Sequence, residues 1–318
     1  MRISDSAVTR LREAADWPPM PGARYEIVER IGQGGMGSVY LAVDRELQRQ
    51  VAIKVMRSPA PAPEAEGRMR REAQVIARLE HPGIVPVHDI GSLEDGRVFY
   101  VMKWVRGVNL EDFAKGRSAG ELLRVFLKVC EAVAFAHENG VIHRDIKPGN
   151  IMVGVFGEVL VLDWGVAKVI GHPEPPLGGG DDRENQPAEV VTQDGTVVGT
   201  PGYMAPEQAS GRVHLIDQRT DVYALGAILR FLTAGSDAPR RLVAIRDRAL
   251  NASPEDRYAS VGALASDVLN YLDGQAVSAY REGPIERWRR VFHRFRTPIL
   301  LVLAYLVMRA ILALLVRR

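Results

Sequence analysis

The chain has 318 residues, of which 47% are hydrophobic and 25% charged, and these proportions exclude a wholly disordered or fibrous protein. A single cysteine, Cys130, excludes a disulfide framework and a zinc-finger cluster. The net charge of +2 hides an asymmetry, because residues 281–318 hold nine Arg and two Glu (9 − 2 = +7) and the remainder sums to −5 (2 − 7). Since the basic residues crowd beside an apolar stretch, the pattern favours a membrane partner, and we expect no nucleic acid partner.

Residues 1–24 are polar and end in a proline-rich turn, so we predict an N-terminal leader there. From Tyr25 onwards, β-branched runs separated by turns predict short strands. After Gly120 the apolar residues recur at helical spacing, which predicts helices. Strands first and helices later predict a small β-rich lobe over residues 25–105 joined to a larger helical lobe over 106–273.

The individual elements follow from the same patterns. Strands are predicted from Tyr25 and near residues 38–43, 50–55, 85–90 and 98–105. Helices are predicted near residues 6–15, 66–79, 120–139, 222–232 and 261–272, the fourth of them buried on all sides.

Three local signals are structural. Ser253-Pro254-Glu255 has the residue types of a helix N-cap, a first-turn proline and an acidic first turn. Residues 171–195 hold five Gly, four Pro and six acids, too little apolar surface to bury, and predict a mobile loop. His81 is interpreted as a turn residue and Cys130 as a core residue.

A glycine-rich turn follows the first predicted strand. It reads Ile31-Gly32-Gln33-Gly34-Gly35-Met36-Gly37-Ser38-Val39 and contains the pattern G-x-G-x-x-G-x-V. Glycines let a backbone approach phosphates closely and offer N–H donors, although the pattern alone equally fits a flexible hairpin. A strand rather than a helix follows the glycines, which argues against a dinucleotide-binding Rossmann unit.

Lys54 ends the run Val51-Ala52-Ile53-Lys54 in the third predicted strand. Its apolar neighbours mean that a lysine there needs an anionic partner, and Glu72 on the next predicted helix could supply one. The alternatives are a solvated strand lysine and a surface glutamate.

The most specific pattern runs from His143 to Asn150 and reads H-R-D-x-K-P-x-N. An apolar strand then ends in Asp163-Trp164-Gly165, Ala205-Pro206-Glu207 follows, and Asp221 opens the buried helix. With these motifs in this order, residues 25–271 resemble the eukaryotic-like serine/threonine protein kinases, especially their bacterial members. The resemblance implies an α+β bilobal protein-kinase fold over residues 25–273.

The resemblance implies an ATP site between the lobes. The glycine turn over residues 31–39 would cover the ATP phosphates, and Lys54, held by Glu72, would grip the α- and β-phosphates. Met102 falls at the family's gatekeeper position, and the hinge that meets adenine would end at Val105.

The same resemblance assigns the transfer chemistry. Asp145 would orient the substrate hydroxyl and accept its proton, and Lys147 would neutralise charge on the transferred phosphoryl group. Asn150 and Asp163 would hold Mg²⁺. Lys147 and the following proline are typical of the serine/threonine class.

Control by phosphorylation is also implied. Arg144 beside Asp145 is typical of kinases whose activation loop takes up a phosphate. Thr192 and Thr196 are the candidate phosphorylation sites, in that order, and an unmodified loop is the alternative.

The chain departs from the family at two places. Trp164 replaces the usual Phe, and its ring is still expected to stack between His143 and the helix that bears Glu72. After Gly235 roughly two dozen residues of the family pattern are missing, so substrate docking is in doubt. Arg257 is expected to pair with Glu207 all the same.

The C-terminal end has its own predictions. Residues 274–296 read as a basic juxtamembrane segment, with five Arg between Arg287 and Arg296. Residues 297–316 hold twelve Leu, Ile or Val and one charge, Arg309, and predict a transmembrane helix. The alternative is a buried or interfacial helix. We therefore expect a single-pass protein of the inner membrane with its kinase domain in the cytoplasm.

These predictions combine into a membrane-anchored serine/threonine protein kinase for signalling, which uses ATP and Mg²⁺ and acts on protein substrates and on its own loop. A homodimer would permit that self-phosphorylation in trans. The alternatives are a non-catalytic or weakly active kinase-like membrane scaffold and a small-molecule kinase.

Overall fold

The computed structural model describes most of both predicted lobes and the C-terminal helix. The described residues are 17–34, 37–57, 63–164, 168–169, 202–212, 215–234, 238–284 and 296–316. The predicted leader helix near residues 6–15, the loop over 171–195, and the candidates Thr192 and Thr196 lie outside them.

The N-terminal lobe is a five-stranded antiparallel sheet with strand order β1-β2-β3-β5-β4. Its strands are β1 (Tyr25–Gln33), β2 (Gly37–Asp44), β3 (Arg49–Met56), β4 (Val87–Ser92) and β5 (Val98–Lys103). Helix α1 (Pro63–Arg78) packs on β4 and β5. The β-branched runs therefore form the predicted strands, and the predicted helix begins about three residues earlier than expected.

The C-terminal lobe is mostly helical. Its helices are α2 (Leu110–Phe113), α3 (Ala119–Glu138), α4 (Pro206–Ala209), α5 (Gln218–Leu232), α6 (Arg240–Ala249) and α7 (Val261–Leu272). Its short strands are β6 (Gly107–Asn109), β7 (Val141–Ile142), β8 (Ile151–Gly154), β9 (Val159–Val161) and β10 (Lys168–Val169). Strands β6, β8 and β9 form one small sheet, and β7 pairs with β10.

Helix α3 is the central element of this lobe and packs on α5, α7 and β9. It begins with a capping box between Ser118 and Glu121, and it stops before Gly140, whose φ of +74° suits a residue without Cβ. Cys130 on this helix is fully buried, as predicted. The short loops after α3 carry the motif residues, so the helix bundle fixes where those residues lie.

The helix start predicted at Ser253 is confirmed only in part. Ser253 makes no side-chain cap, and the residues after it form only a 3-10 turn, Pro254–Asp256. The next helix begins at Val261, where the Ser260 hydroxyl accepts a hydrogen bond from the Ala263 N–H at 3.2 Å. The capping signal at Ser253 had the right residue types, but its serine caps no helix because Arg257 returns to extended backbone.

Helix α8 (Arg296–Val316) forms at the C-terminal end, with its described aliphatic side chains exposed. Among the described residues, however, no helix is both long and apolar enough to cross a membrane. The transmembrane helix predicted over residues 297–316 is therefore not supported.

Candidate active site

The glycine-rich turn joins β1 to β2 at the edge of the interlobe site. Ile31, Gly32 and Gln33 end β1, while Gly37, Ser38 and Val39 open β2. The Gly34 N–H donates to the Gly37 carbonyl at 2.8 Å, and Gly35 and Met36 lie outside the described residues. A Cβ atom at Gly37 would collide with the Val55 carbonyl, so only glycine fits there. The turn therefore keeps its backbone close to β3, which carries Lys54.

Lys54 bridges the two lobes through two carboxylates. Its Nζ donates to Glu72 Oε1 on α1 at 2.8 Å and to Asp163 Oδ1 in the C-terminal lobe at 2.9 Å. The side chains of Lys54 and Glu72 are 10% and 1% exposed, whereas that of Asp163 is 46% exposed. The structure therefore brings these three predicted residues together, with the Asp163 end open to solvent.

Lys54 and Asp163 are both charged at neutral pH. Burial by itself opposes the charged form of Lys54, but the acidic groups around it, Glu72 and Asp163 among them, raise its pKa well above the ordinary value. Burial likewise opposes ionisation of Asp163, but the Lys54 ammonium outweighs it and lowers the pKa of that carboxyl. At neutral pH the site thus presents an ammonium beside an ionised, half-exposed carboxylate.

Asp145, Lys147 and Asn150 form a second cluster, on the loop between β7 and β8. Lys147 Nζ donates to Asp145 Oδ2 at 2.7 Å, and Asn150 Nδ2 donates to the same oxygen at 3.1 Å and to the Asp145 carbonyl at 2.9 Å. The other carboxylate oxygen, Oδ1, accepts no hydrogen bond from the described part of the chain. The loop thus holds a carboxylate rigidly and leaves one of its oxygens for a further donor.

Arg144 fixes the direction of this loop through its backbone. It has a left-handed conformation with φ of +67°, which is uncommon for a residue with Cβ. The Arg144 N–H donates to Asp221 Oδ1 at 2.9 Å, and the Arg144 carbonyl accepts from Gln208 Nε2 at 2.8 Å. Contacts from α5 and α4 therefore hold Arg144, and Asp145 follows directly.

Asp221 is the buried anchor of the same loop. Its Oδ2 accepts from the His143 N–H at 2.8 Å and contacts His137 Nε2 at 2.7 Å. Burial opposes ionisation of this carboxyl, but these contacts outweigh it and lower its pKa. An ionised, fully buried aspartate on α5 thus holds both the end of α3 and the loop between β7 and β8 in place.

His143 connects the two clusters. Its Nδ1 accepts from the Asp145 N–H at 3.2 Å, so its Nε2 carries the proton and donates to the Leu162 carbonyl at 3.0 Å. Its ring lies 4.5 Å from the ring of Trp164, which is 1% exposed. The predicted contact of Trp164 with His143 is present, but the two rings are tilted by 53° and are not parallel. Asp163, between Leu162 and Trp164, has a φ of +59° and is held from both sides.

The predicted adenine side lies on and after β5. Met102 is partly buried and pairs with Ala52 of β3 and Val87 of β4, while Val105 is buried just after the strand. Both residues therefore border the connection between the lobes, as a gatekeeper and hinge require.

Asp163 and Asn150 suit a magnesium ion. The described residues contain no group of three or more His, Cys, Asp or Glu side chains that could hold a metal by themselves. Magnesium is commonly bound by one or two carboxylates together with substrate phosphates, so a large protein cage is not required. The amide nitrogen of Asn150 is used on Asp145, which leaves its amide oxygen as the ligand. The donor set therefore fits Mg²⁺ bound with a phosphate.

Glu207 and Arg257 form a buried ion pair in the C-terminal lobe, as predicted. Arg257 Nη1 and Nη2 donate to Glu207 Oε1 and Oε2, each at 2.8 Å, and Thr220 Oγ1 donates to Oε1 at 3.0 Å. The pair fixes α4, which carries Gln208, against α5.

Sequence reasoning missed three contributors to the site. It noted Asp221 but assigned it no role, and it did not consider Gln208 or Tyr100. The Tyr100 hydroxyl donates to Glu72 Oε1 at 2.8 Å. A signal existed for Tyr100, because a hydroxyl in an apolar strand needs a buried partner. The contact of Gln208 with Arg144 joins residues 64 apart in the chain and has no local signal.

A β-rich lobe and a helical lobe that meet at a lysine–carboxylate bridge and an Asp-Lys-Asn loop define a phosphoryl-transfer domain. Residues 25–242 match the family described as Protein kinase domain. The chain belongs to this family, and the relatives of known name that it resembles are bacterial serine/threonine-protein kinases.

Relatives of known name agree with this assignment. The chain is 36% identical over 305 residues to the serine/threonine-protein kinase PknD of Protochlamydia amoebophila, with 81% of this chain and 31% of that protein covered. It is 36% identical over 294 residues to PknD of Chlamydia pneumoniae, with 79% and 31% covered. The chain thus spans about a third of the length of these relatives.

A solved structure agrees as well. The crystal structure of the Mycobacterium tuberculosis PknI kinase domain superposes with a TM-score of 0.59 at 27% identity and covers 80% of this chain and 98% of that domain. The bilobal kinase fold expected from the motifs is therefore confirmed.

Proposed function

We propose that this chain is an ATP-dependent serine/threonine protein kinase. The observation that carries the proposal is the simultaneous presence of two intact clusters, Lys54 with Glu72 and Asp163, and Asp145 with Lys147 and Asn150. Phosphoryl transfer requires mainly positioning and charge stabilisation, and these clusters supply both.

On the nucleotide side, the Lys54 ammonium is the charge available to the ATP phosphates. Glu72 holds it in place, and its raised pKa keeps it charged throughout the neutral range. The backbone of the glycine-rich turn over residues 31–39 would lie over the phosphates, and the chain from Met102 to Val105 would meet the base. Asp163 and Asn150 would hold Mg²⁺, which neutralises phosphate charge when bound.

On the acceptor side, Asp145 Oδ1 is the atom that receives the hydroxyl proton. Lys147 and Asn150 both bind Oδ2, so they fix the plane of the carboxylate without blocking Oδ1. Lys147 also brings a positive charge next to the acceptor oxygen, where the transferred group carries negative charge. As the serine or threonine oxygen bonds to the γ-phosphorus, its proton moves to Asp145, and the bond from that phosphorus to the β–γ bridging oxygen breaks, so that ADP leaves.

A kinase-like scaffold is the competing proposal, and the Asp145 cluster speaks against it. A scaffold needs a stable fold but has no use for a loop residue held at φ of +67° next to an oriented carboxylate. The shortening expected after Gly235 removes none of the residues of either cluster.

The test is transfer of labelled phosphate from ATP to protein by the full chain, compared with Asp145→Asn. We expect label on serine or threonine, and a loss of roughly 100- to 10,000-fold in the variant, the range of general-base contributions. Equal labelling by both proteins would refute the assignment. A metabolite panel that outcompeted every protein acceptor would favour the small-molecule kinase.

We further propose that the chain phosphorylates its own activation loop, at Thr192 before Thr196. The support is the sequence position of both threonines before the Ala205-Pro206-Glu207 motif, together with Arg144 beside Asp145. Mapping phosphates on the full chain after incubation with Mg²⁺-ATP tests this, and Thr192→Ala should remove the faster-appearing phosphate. Dilution separates transfer in trans, which slows with dilution, from transfer in cis.

We also propose that the kinase works at the cytoplasmic face of the inner membrane. Support comes from the exposed aliphatic side chains of α8 and from the five Arg between Arg287 and Arg296. Flotation with vesicles tests it: the full chain should bind anionic vesicles more tightly than neutral ones, and replacement of three of those Arg by Gln should weaken the binding. Absence of binding to either vesicle would refute it.

A further inference from the structure

Tyr100 contacts Glu72 and Lys54, although it belongs to none of the kinase motifs in the sequence. It lies on β5 directly opposite Lys54 of β3, so the two side chains leave the same face of the sheet. Its hydroxyl donates to Glu72 Oε1 at 2.8 Å, and its ring centroid lies 5.7 Å from Lys54 Nζ. Glu72 Oε1 therefore accepts from an ammonium and a hydroxyl at the same time.

We propose that Tyr100 is a positioning residue for phosphoryl transfer, whose hydroxyl holds Glu72 where it can keep Lys54 aimed at the ATP phosphates. The inference rests on the proposed function, because it names a further residue of the same site.

The first argument is the number of bonds to Glu72. This carboxylate is 1% exposed, and its other oxygen, Oε2, is buried without a hydrogen-bond partner among the described residues. All its described side-chain bonds pass through Oε1, so the Tyr100 hydroxyl supplies one of two. Loss of that donor would leave the carboxylate dependent on Lys54 alone.

The second argument is competition for Lys54. Asp163 also binds the Lys54 ammonium, at 2.9 Å, and Asp163 is the half-exposed partner. A Glu72 side chain free to turn would let Lys54 swing towards Asp163, the predicted metal ligand. A second donor on Glu72 Oε1 resists that movement, because it fixes the oxygen that Lys54 must follow.

The third argument is the rigidity of the donor itself. Tyr100 is 1% exposed and packs in a cluster with Met56 of β3 and Met69 and Ala73 of α1. Burial raises the pKa of its hydroxyl well above the ordinary value, so the group remains a donor at every working pH. The hydroxyl is therefore held by packing on both sides and does not depend on nucleotide.

The experiment uses the full chain as wild type, Tyr100→Phe, Glu72→Ala and the double variant. Tyr40→Phe is the matched control, because Tyr40 is a buried tyrosine of the same sheet whose hydroxyl makes no hydrogen bond to the described residues. We expect Tyr100→Phe to lower kcat/KM for Mg²⁺-ATP roughly tenfold, the scale of a lost hydrogen bond to a charged group. Tyr40→Phe should change kcat/KM less than about twofold. The Tyr100→Phe and Tyr40→Phe proteins should unfold at similar temperatures.

The double variant separates positioning from packing. In the Glu72→Ala background, Tyr100→Phe should lower kcat/KM less than about twofold, because the hydroxyl then has no carboxylate to hold. A tenfold loss that persists in that background would overturn the proposal, as would a Tyr100→Phe protein as active as wild type.

Nucleotide binding separates this inference from the proposed function. If the wild-type chain transferred no phosphate, the proposed function would fall. Tyr100 would then be judged on the affinity for Mg²⁺ with a non-hydrolysable ATP analogue. Weaker binding by Tyr100→Phe, by roughly five- to tenfold, supports the positioning role, and equal binding by wild type and variant overturns it.

Discussion

Two buried ion pairs of this chain each join a basic side chain to a glutamate, but they differ in their access to solvent. The pair of Arg257 and Glu207 is closed: its side chains are 0% and 2% exposed. The pair of Lys54 and Glu72 is open at one end, because the second partner of Lys54, Asp163, is 46% exposed.

The hydrogen bonds of the two cations show the same difference. Arg257 donates to both oxygens of Glu207 and to the carbonyls of Asn251, Arg219 and Ala252, so every nitrogen of its guanidinium is used. Lys54 donates to two carboxylates, and an ammonium has three donors. Among the described residues, the closed pair has no nitrogen left for a ligand, whereas the open pair retains one ammonium donor and a solvent-facing carboxylate.

Among the variants that test this comparison, Arg257→Met should lower the free energy of unfolding the most. Removing the cation leaves Glu207 buried and unpaired, which costs about 3–5 kcal/mol of unfolding free energy. Urea unfolding of wild type and variant measures it. A loss below about 1 kcal/mol would show that the closed pair does not brace the lobe.

Lys54→Met should affect activity before stability. The loss of one preorganised charge from the phosphate site is expected to lower kcat by roughly 100- to 1,000-fold. The unfolding free energy should fall by less than half of the loss in Arg257→Met. Lys54→Met leaves a site that opens to solvent at Asp163, whereas Arg257→Met also removes the donor of three backbone carbonyls. If Lys54→Met instead destabilised the chain as strongly and retained full activity, the two pairs would have the same role.

The pH dependence of stability provides a third test, on Glu207. Burial opposes its ionisation, but the Arg257 guanidinium outweighs it and lowers its pKa below the ordinary value of 4.5. A carboxyl whose pKa is lower in the folded state stabilises the fold fully above its unfolded pKa, and this contribution disappears as pH falls through the folded pKa. The stability difference between wild type and Glu207→Gln should therefore be constant above about pH 5.5 and shrink below pH 4.5. A difference independent of pH down to 3 would contradict the ionised pair.

The smallest effect should come from Thr220→Val. The Thr220 hydroxyl donates to Glu207 Oε1 as the Tyr100 hydroxyl donates to Glu72 Oε1. We expect a loss of about 1 kcal/mol in unfolding free energy, typical of one hydrogen bond, with kcat/KM unchanged. Thermal and urea unfolding beside steady-state kinetics measure both, and a fall in activity without a fall in stability would reverse the roles given to the two pairs.

Much of the site could be predicted because its residues occur in local motifs. The loop from His143 to Asn150 and the turn over residues 31–39 are contiguous, so both motifs are visible in the sequence, and the resemblance to the kinase family implied the roles of their residues. The pair Lys54–Glu72 was also predictable, since a buried charge needs a partner of opposite sign, and the resemblance to the family implied the pair Glu207–Arg257.

The rest depended on contacts that the sequence does not encode locally. Tyr100 meets Glu72 only because β5 pairs with β3 in one register and α1 packs above them. The helix over residues 261–272 was predicted correctly, whereas Ser253 makes no helix-capping hydrogen bond, because the chain returns to extended backbone at Arg257. The transmembrane prediction rested on composition, and the described helices do not support it.

The most direct test of the account is a phosphate map of the full chain after incubation with Mg²⁺-ATP, beside Asp145→Asn. The account predicts phosphorylated serine or threonine in the wild type and none above background in the variant, with both proteins equally folded by circular dichroism. Phosphate at the same sites and to the same extent in both proteins would show that Asp145 is not the base. Absence of phosphate from the wild type and from every added protein acceptor would contradict the assignment as a protein kinase.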